Sequence, residues 1–134
     1  MATVNFDLPS LKNTLEAKDG ILLLDFWADW CGPCKAFGPI YEKVSDEFPD
    51  ATFGKVDTQA EQQLAAGFGI RSIPTLMVFR DGVLLFNQAG LLPEAALRDL
   101  VKQAEALDME KVRARKRAIV DSKPIGRRKP EDRS

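Results

Sequence analysis

A seven-residue apolar run, Ile21 to Trp27, leads into Cys31-Gly32-Pro33-Cys34 and then into a stretch with helical spacing. That switch constrains the fold more than any other feature of the chain. The run is apolar on both alternating faces, as in a central strand of a sheet covered on both sides. Beyond it, Phe37, Ile40, Tyr41, Val44 and Phe48 recur at intervals of three and four, which predicts a helix over Lys35–Phe48. Pro39 is expected to kink that helix, because proline cannot donate to the preceding turn. The two cysteines are the only ones in the chain, and they sit where strand becomes helix.

The remaining elements follow from periodicity and turn chemistry. Val4-Asn5-Phe6 suits a short edge strand. Asp7 or Ser10 can cap a helix through Leu11, Leu15 and Ala17, ended by Asp19-Gly20. Thr52–Val56 and Thr75–Phe79 read as strands, and Ala60–Phe68 as a short helix broken at Gly67 and Gly69. Asp81-Gly82 is a hairpin signal leading into the strand Val83–Phe86. Pro93 opens a last core helix with Ala96, Leu97, Leu100, Val101 and Ala104 on its inner stripe. The order implies an α/β fold with a central mixed sheet of about five strands and helices on both faces.

The length of 134 residues suits one core, and an apolar fraction of 45% excludes disorder throughout. The net charge of −1 gives no overall drive toward nucleic acid or membrane, but it hides an asymmetry: residues 1–107 are net −6 and residues 108–134 net +5. The first ten residues lack a basic start followed by an apolar block, and no apolar run reaches membrane-spanning length. The expected location is therefore cytoplasmic. There thiols stay reduced, so a close cysteine pair points to catalysis or metal binding before a structural staple. Histidine is absent, which removes Cys-His and Ser-His-Asp chemistry. Two cysteines alone cannot complete a four-ligand zinc site, so no metal or other cofactor is expected.

A helix N-terminus stabilises an anion, so Cys31 is the expected nucleophilic thiolate. Gly32 keeps the turn tight. Pro33 fixes φ and removes a donor that would be unpaired anyway. Cys34, deeper in the helix, is expected to be less exposed and to resolve the mixed disulfide formed by Cys31. It needs a base, and Asp25, a charge within an apolar strand, is the candidate proton acceptor. The alternative for Asp25 is a strand-end residue capping a loop. Lys55 in the next strand is either its countercharge or a solvated lysine. By themselves the cysteines also fit two small core side chains or half of a shared metal site.

The flanking residues carry a resemblance. Phe26-Trp27-Ala28-Asp29-Trp30-Cys31-Gly32-Pro33-Cys34-Lys35 resembles the active-site segment of thioredoxins, and Gly69-Ile70-Arg71-Ser72-Ile73-Pro74-Thr75 resembles their cis-proline loop. Asp81-Gly82 and Ala89-Gly90 stand where that family has its hairpin glycine and a later glycine at the substrate groove. The resemblance covers roughly residues 3–107, closest to small bacterial thioredoxins. It implies a thioredoxin fold, Cys31 as nucleophile, Cys34 as resolving thiol, Asp25 as buried acid with Lys55 beside it, and a cis bond at Ile73–Pro74. It also implies a flat substrate-binding patch of Trp30, Gly32, Pro33, Ile73, Pro74 and Gly90. Outside that resemblance, Trp30 is an ordinary half-buried aromatic and Pro74 a trans turn proline. A histidine between the cysteines would stabilise the thiolate; Pro33 removes that contribution, which points to a reductant. The expected partners are an NADPH-dependent, flavin-containing thioredoxin reductase and oxidised protein substrates. The chain is expected to act as a monomer, without membrane or nucleic-acid partners.

Typical small thioredoxins lack the basic stretch after Leu107. It divides the chain into a thioredoxin domain, 1–107, and an extension, 108–134, helical to about residue 120 and disordered beyond. Lys111, Arg113, Arg115, Lys116 and Arg117 form one basic cluster and Arg127-Arg128-Lys129 another. They are either a solvated extension or an arm for an acidic partner, nucleic acid or anionic lipid. Three functions then compete. The first is a general protein-disulfide reductase maintaining cytosolic redox homeostasis. The second is a thioredoxin-fold scaffold or chaperone-like module with incidental redox activity. The third is soft-metal handling with ligands shared between molecules.

Overall fold

The computed structural model describes residues 2–121, the side chains at 116 and 118–121 excepted. The second basic cluster, at 127–129, lies outside the described residues. The elements are β1 (Thr3–Asn5), α1 (Leu8–Ala17), β2 (Ile21–Trp27), α2 (Gly32–Glu47), β3 (Thr52–Asp57), α3 (Gln62–Gly67), β4 (Thr75–Arg80), β5 (Val83–Ala89), α4 (Glu94–Ala106) and α5 (Met109–Asp121). The sheet order is β1-β3-β2-β4-β5. Strand β3 runs parallel to both β1 and β2, while β4 is antiparallel to β2 and to β5. The expected mixed sheet is present, and β2 is its central strand.

Alternation along β2 splits the core in two. Ile21 and Leu23 face a layer built from Phe37, Tyr41 and Val44 of α2 and Leu97, Val101 and Ala104 of α4. Leu22, Leu24 and Phe26 face the opposite layer, with Leu11 of α1 and Leu64 of α3. The period of two in the strand is thus matched by helical stripes on both sides. Phe6 follows the end of β1, where its N–H donates to the Lys55 carbonyl over 2.9 Å. Its ring occupies the space that a side chain at Gly54 would need.

Local chemistry sets the element ends. Asp7 caps α1: its carboxylate accepts from the Ser10 N–H at 3.0 Å, and the Ser10 hydroxyl accepts from the Asp7 N–H at 3.1 Å. The helix stops one residue earlier than Asp19-Gly20 implies, at Lys18 with φ 50°. Asp81 and Gly82 take φ of 52° and 81°, the two positive values a tight hairpin between right-twisted strands needs.

Three further expectations need correction. Strand β5 runs on to Ala89 rather than ending at Phe86, because Asn87, Gln88 and Ala89 pair with Met77, Leu76 and Thr75. Ala96 is exposed; the buried stripe of α4 is Leu97, Val101 and Ala104. The segment after Leu107 is a separate helix rather than a continuation of α4. The Arg80 guanidinium donates to the carbonyls of Ala104, Glu105 and Leu107 at 2.7, 3.0 and 2.8 Å, closing the end of α4. The Asp108 carboxylate then accepts from the Glu110 and Lys111 N–H groups and starts α5. Met109 is buried at this joint. Among the described residues no helix is long and apolar enough to cross a membrane.

Candidate active site

The carboxyl end of β2 delivers the chain into the site. After Trp27 it turns through Asp29 and Trp30, and Cys31 becomes the residue that caps α2, with extended backbone at φ −89° and ψ 112°. Its sulfur accepts from the Cys34 N–H at 3.2 Å. This places Cys31 Sγ against the unpaired amides at the positive end of the α2 dipole, the environment that favours a thiolate. Pro33 falls in the first turn, where its missing donor costs nothing.

Cys31 and Cys34 form a disulfide, with their Cα atoms 5.2 Å apart. Both are 4% exposed, so the expected difference in exposure is absent. Cys31 Sγ lies 3.6 Å from the Ile73 carbonyl oxygen. The Ile73–Pro74 bond is cis. The Gly90 N–H donates to the Pro74 carbonyl at 2.8 Å, bringing the loop after β5 to the same place. Cys31, Ile73, Pro74 and Gly90 therefore converge from three separate stretches of chain. Gly32 and Pro33 are exposed beside them. Trp30 is 68% exposed, far more open than an ordinary core aromatic.

Trp30 and Ile73 also wall a groove of about 330 Å³ with Thr58, Gln62, Ile70 and Arg71. Thr58 and Gln62 carried no signal in the sequence, being polar residues at the end of β3 and in a short helix. Arg71 and Ile70 stood within the loop motif but had no role there.

Asp25 continues the Ile21, Leu23 series on the α2 side of the sheet and is 1% exposed. It lies mid-strand, which excludes the loop-capping alternative. Its Oδ1 has no hydrogen-bond partner, and neither does the buried Trp27 Nε1, the next residue in the same series. Burial pushes the Asp25 carboxyl up to about 7, with the Lys55 charge pulling against it. Lys55 stands directly opposite in the β2–β3 register. Its ammonium also lies over the Trp27 ring, 4.9 Å from the centroid. Lys55 thus stands across the strand pair from Asp25 with its charge resting on an aromatic face.

The thioredoxin family model matches residues 3–103. The chain belongs to the thioredoxin family. It is 61% identical to a thioredoxin 2 homologue of Streptomyces coelicolor over 92 residues, 69% of each chain. It is 40% identical to the thioredoxin of Bacillus subtilis over 89 residues, 66% of this chain and 86% of that one. Among solved structures, a mutant thioredoxin from Halobacterium salinarum NRC-1 superposes with a TM-score of 0.71 at 33% identity, covering 78% of this chain and 92% of the other. As a thioredoxin with its Cys-x-x-Cys pair closed into a disulfide, the protein is a thiol-disulfide oxidoreductase whose redox couple is Cys31 and Cys34. The thioredoxin match ends before α5, so the basic helix lies outside it.

Proposed function

We propose that the chain is a cytoplasmic protein-disulfide reductase in which Cys31 attacks and Cys34 resolves. The Cys31 thiolate attacks one sulfur of a substrate disulfide; a mixed disulfide forms and the substrate's other sulfur leaves as a thiolate. Cys34 passes its proton to the Asp25 carboxylate and attacks Cys31 Sγ. The Cys31–Cys34 disulfide forms, and the second substrate sulfur leaves and takes a proton. Two electrons have then moved to the substrate. An NADPH-dependent thioredoxin reductase returns them through its own dithiol, in keeping with the family.

The observation that carries this reading is the Cys34 N–H aimed at Cys31 Sγ. It supports Cys31 as the anion and leaves Cys34 behind it to finish the exchange. Asp25 suits the base role because a carboxyl titrating near 7 can both take and return a proton at neutral pH. Trp30, Gly32, Pro33, Ile73, Pro74 and Gly90 supply the surface on which an extended substrate segment lies, with the Ile73 backbone as its pairing partner. Lys55 acts through Asp25, by setting its charge. Residues 1–107 form the working domain and 108–134 a basic extension to it.

Reduction of insulin by dithiothreitol tests the assignment. The native chain is expected to accelerate it and Cys31→Ser to leave only the uncatalysed rate. Cys34→Ser is expected to accumulate a mixed disulfide through Cys31. Equal activity in native protein and Cys31→Ser, or an adduct trapped through Cys34 in the Cys31→Ser variant, would overturn the order of attack.

A further inference from the structure

A second groove lies at the other end of the sheet. Pro74 and Gly90 flank the start of β4 and the end of β5, beside the disulfide. The start of β5 pairs instead with the end of β4, Leu84 opposite Phe79 and Val83 opposite Arg80. There Leu84, Leu85, Leu107 and Val112 line a groove of about 410 Å³, rimmed by Lys111 and Arg115 of α5.

Two features make this groove a built one. The pairing shifts between Val78 and Phe79, so that Leu85 is an extra residue in β5. A regular strand would send Leu84 and Leu85 to opposite faces; at this bulge both line the same groove. The α5 wall is anchored as well, by the Arg80 guanidinium on the Leu107 carbonyl and by buried Met109.

The charges on the rim select the occupant. Lys111 and Arg115 stand one helical turn apart on the same face, and among the described residues neither side chain has an ionic partner. Asp108, the acid at the groove, directs its carboxylate to the Glu110 and Lys111 amides. We propose that this groove docks an acidic peptide segment of a partner protein, one or two apolar side chains entering between Leu84 and Val112 and the flanking carboxylates meeting Lys111 and Arg115. The chain's own end is a poor occupant, since residues 122–134 hold five Lys and Arg against two Asp and Glu and would meet a rim of like charge. A membrane is poorly suited too: among the described side chains of α5, the exposed ones, Glu110, Lys111, Arg113, Ala114, Arg115 and Arg117, offer no large apolar group to insert. Docking here leaves the disulfide end free, so a partner held by its acidic segment presents its disulfide at raised effective concentration.

The test uses the full chain and a blocked synthetic octapeptide, Glu-Glu-Asp-Leu-Leu-Asp-Glu-Glu, followed by amide shifts in a nitrogen-15 labelled sample. Shifts are expected at residues 84–85 and 107–115. The Lys111→Glu, Arg115→Glu double variant is expected to bind about tenfold more weakly while reducing insulin at the native rate, which also shows that it folds. A peptide with Ser for both Leu should weaken similarly. Any of four results would overturn the proposal. These are shifts centred on Trp30 and Ile73, equal binding of a peptide with Lys for every acid, unchanged affinity in the double variant, or a marked rise in affinity on truncation after Asp121. Association with vesicles of anionic lipid, or self-association in sedimentation, in place of peptide shifts would reassign the groove to a membrane or to a second copy.

Discussion

The two faces of the sheet are built from the same strands but on different terms. The layer under α1 and α3 holds no buried charge among the described residues; Leu11, Leu24, Phe26, Leu64 and Met77 simply exclude water. The layer under α2 and α4 is equally well filled but admits Asp25, 1% exposed, with an unpartnered oxygen. Both buried polar atoms without partners on β2, Asp25 Oδ1 and Trp27 Nε1, belong to that second face. One side of β2 therefore gives stability alone. The other gives up some of it to hold a buried carboxyl whose proton is retained to about pH 7.

Charge removal at Asp25 is the strongest way to probe this contrast. Its carboxyl titrates in the fold near 7, above its ordinary value of 3.8. The folded state therefore holds the proton more tightly, so the stability this carboxyl contributes is fully present below pH 4, declines as pH rises through 7, and is flat above. Asp25→Asn keeps the neutral shape, so chemical denaturation at pH 8 should show a gain on the order of 4 kcal/mol, fading to nothing by pH 4. The same variant should slow insulin reduction at pH 7. A gain that did not vary with pH would mean that the carboxyl titrates alike in the folded and the unfolded chain.

On the other face the sign reverses. Leu11→Ala, at 1% exposure in α1, should destabilise by about 3 kcal/mol at every pH, with turnover per folded molecule unchanged. A fall in turnover would show that the two layers are coupled through β2. The smallest effect lies at the rim of that layer, where Asp7→Ala removes the carboxylate that accepts from the Ser10 amide. A small loss is expected in thermal or denaturant unfolding, again without effect on reduction.

Much of this division was legible in the sequence, for local reasons. The apolar run Ile21–Trp27 and the stripe Phe37, Tyr41, Val44 carry their periods in the residues themselves, and Asp81-Gly82 carries its turn. Asp25 stood out because a carboxylate in such a run is costly without a purpose. What escaped was set by partners distant in the chain. Asn87, Gln88 and Ala89 look like loop but become strand because β4 offers them a ladder. The insertion of β3 between β1 and β2 leaves no periodic trace. Cys31 is as buried as Cys34, and the Ile73 carbonyl beside its sulfur lies 42 residues away in the chain. The break between α4 and α5 depends on Arg80, a strand residue no helical pattern could have implicated.

That arginine has a consequence for how such a chain can be lengthened. One guanidinium gathers three carbonyls at the end of α4, and so fixes the direction in which the following segment departs. An appendage grafted there inherits a defined heading and a rigid root, whatever its composition. On the docking proposed for the groove, variation downstream of Leu107 would retune which proteins the molecule meets, while the sulfur chemistry at the opposite pole stays untouched.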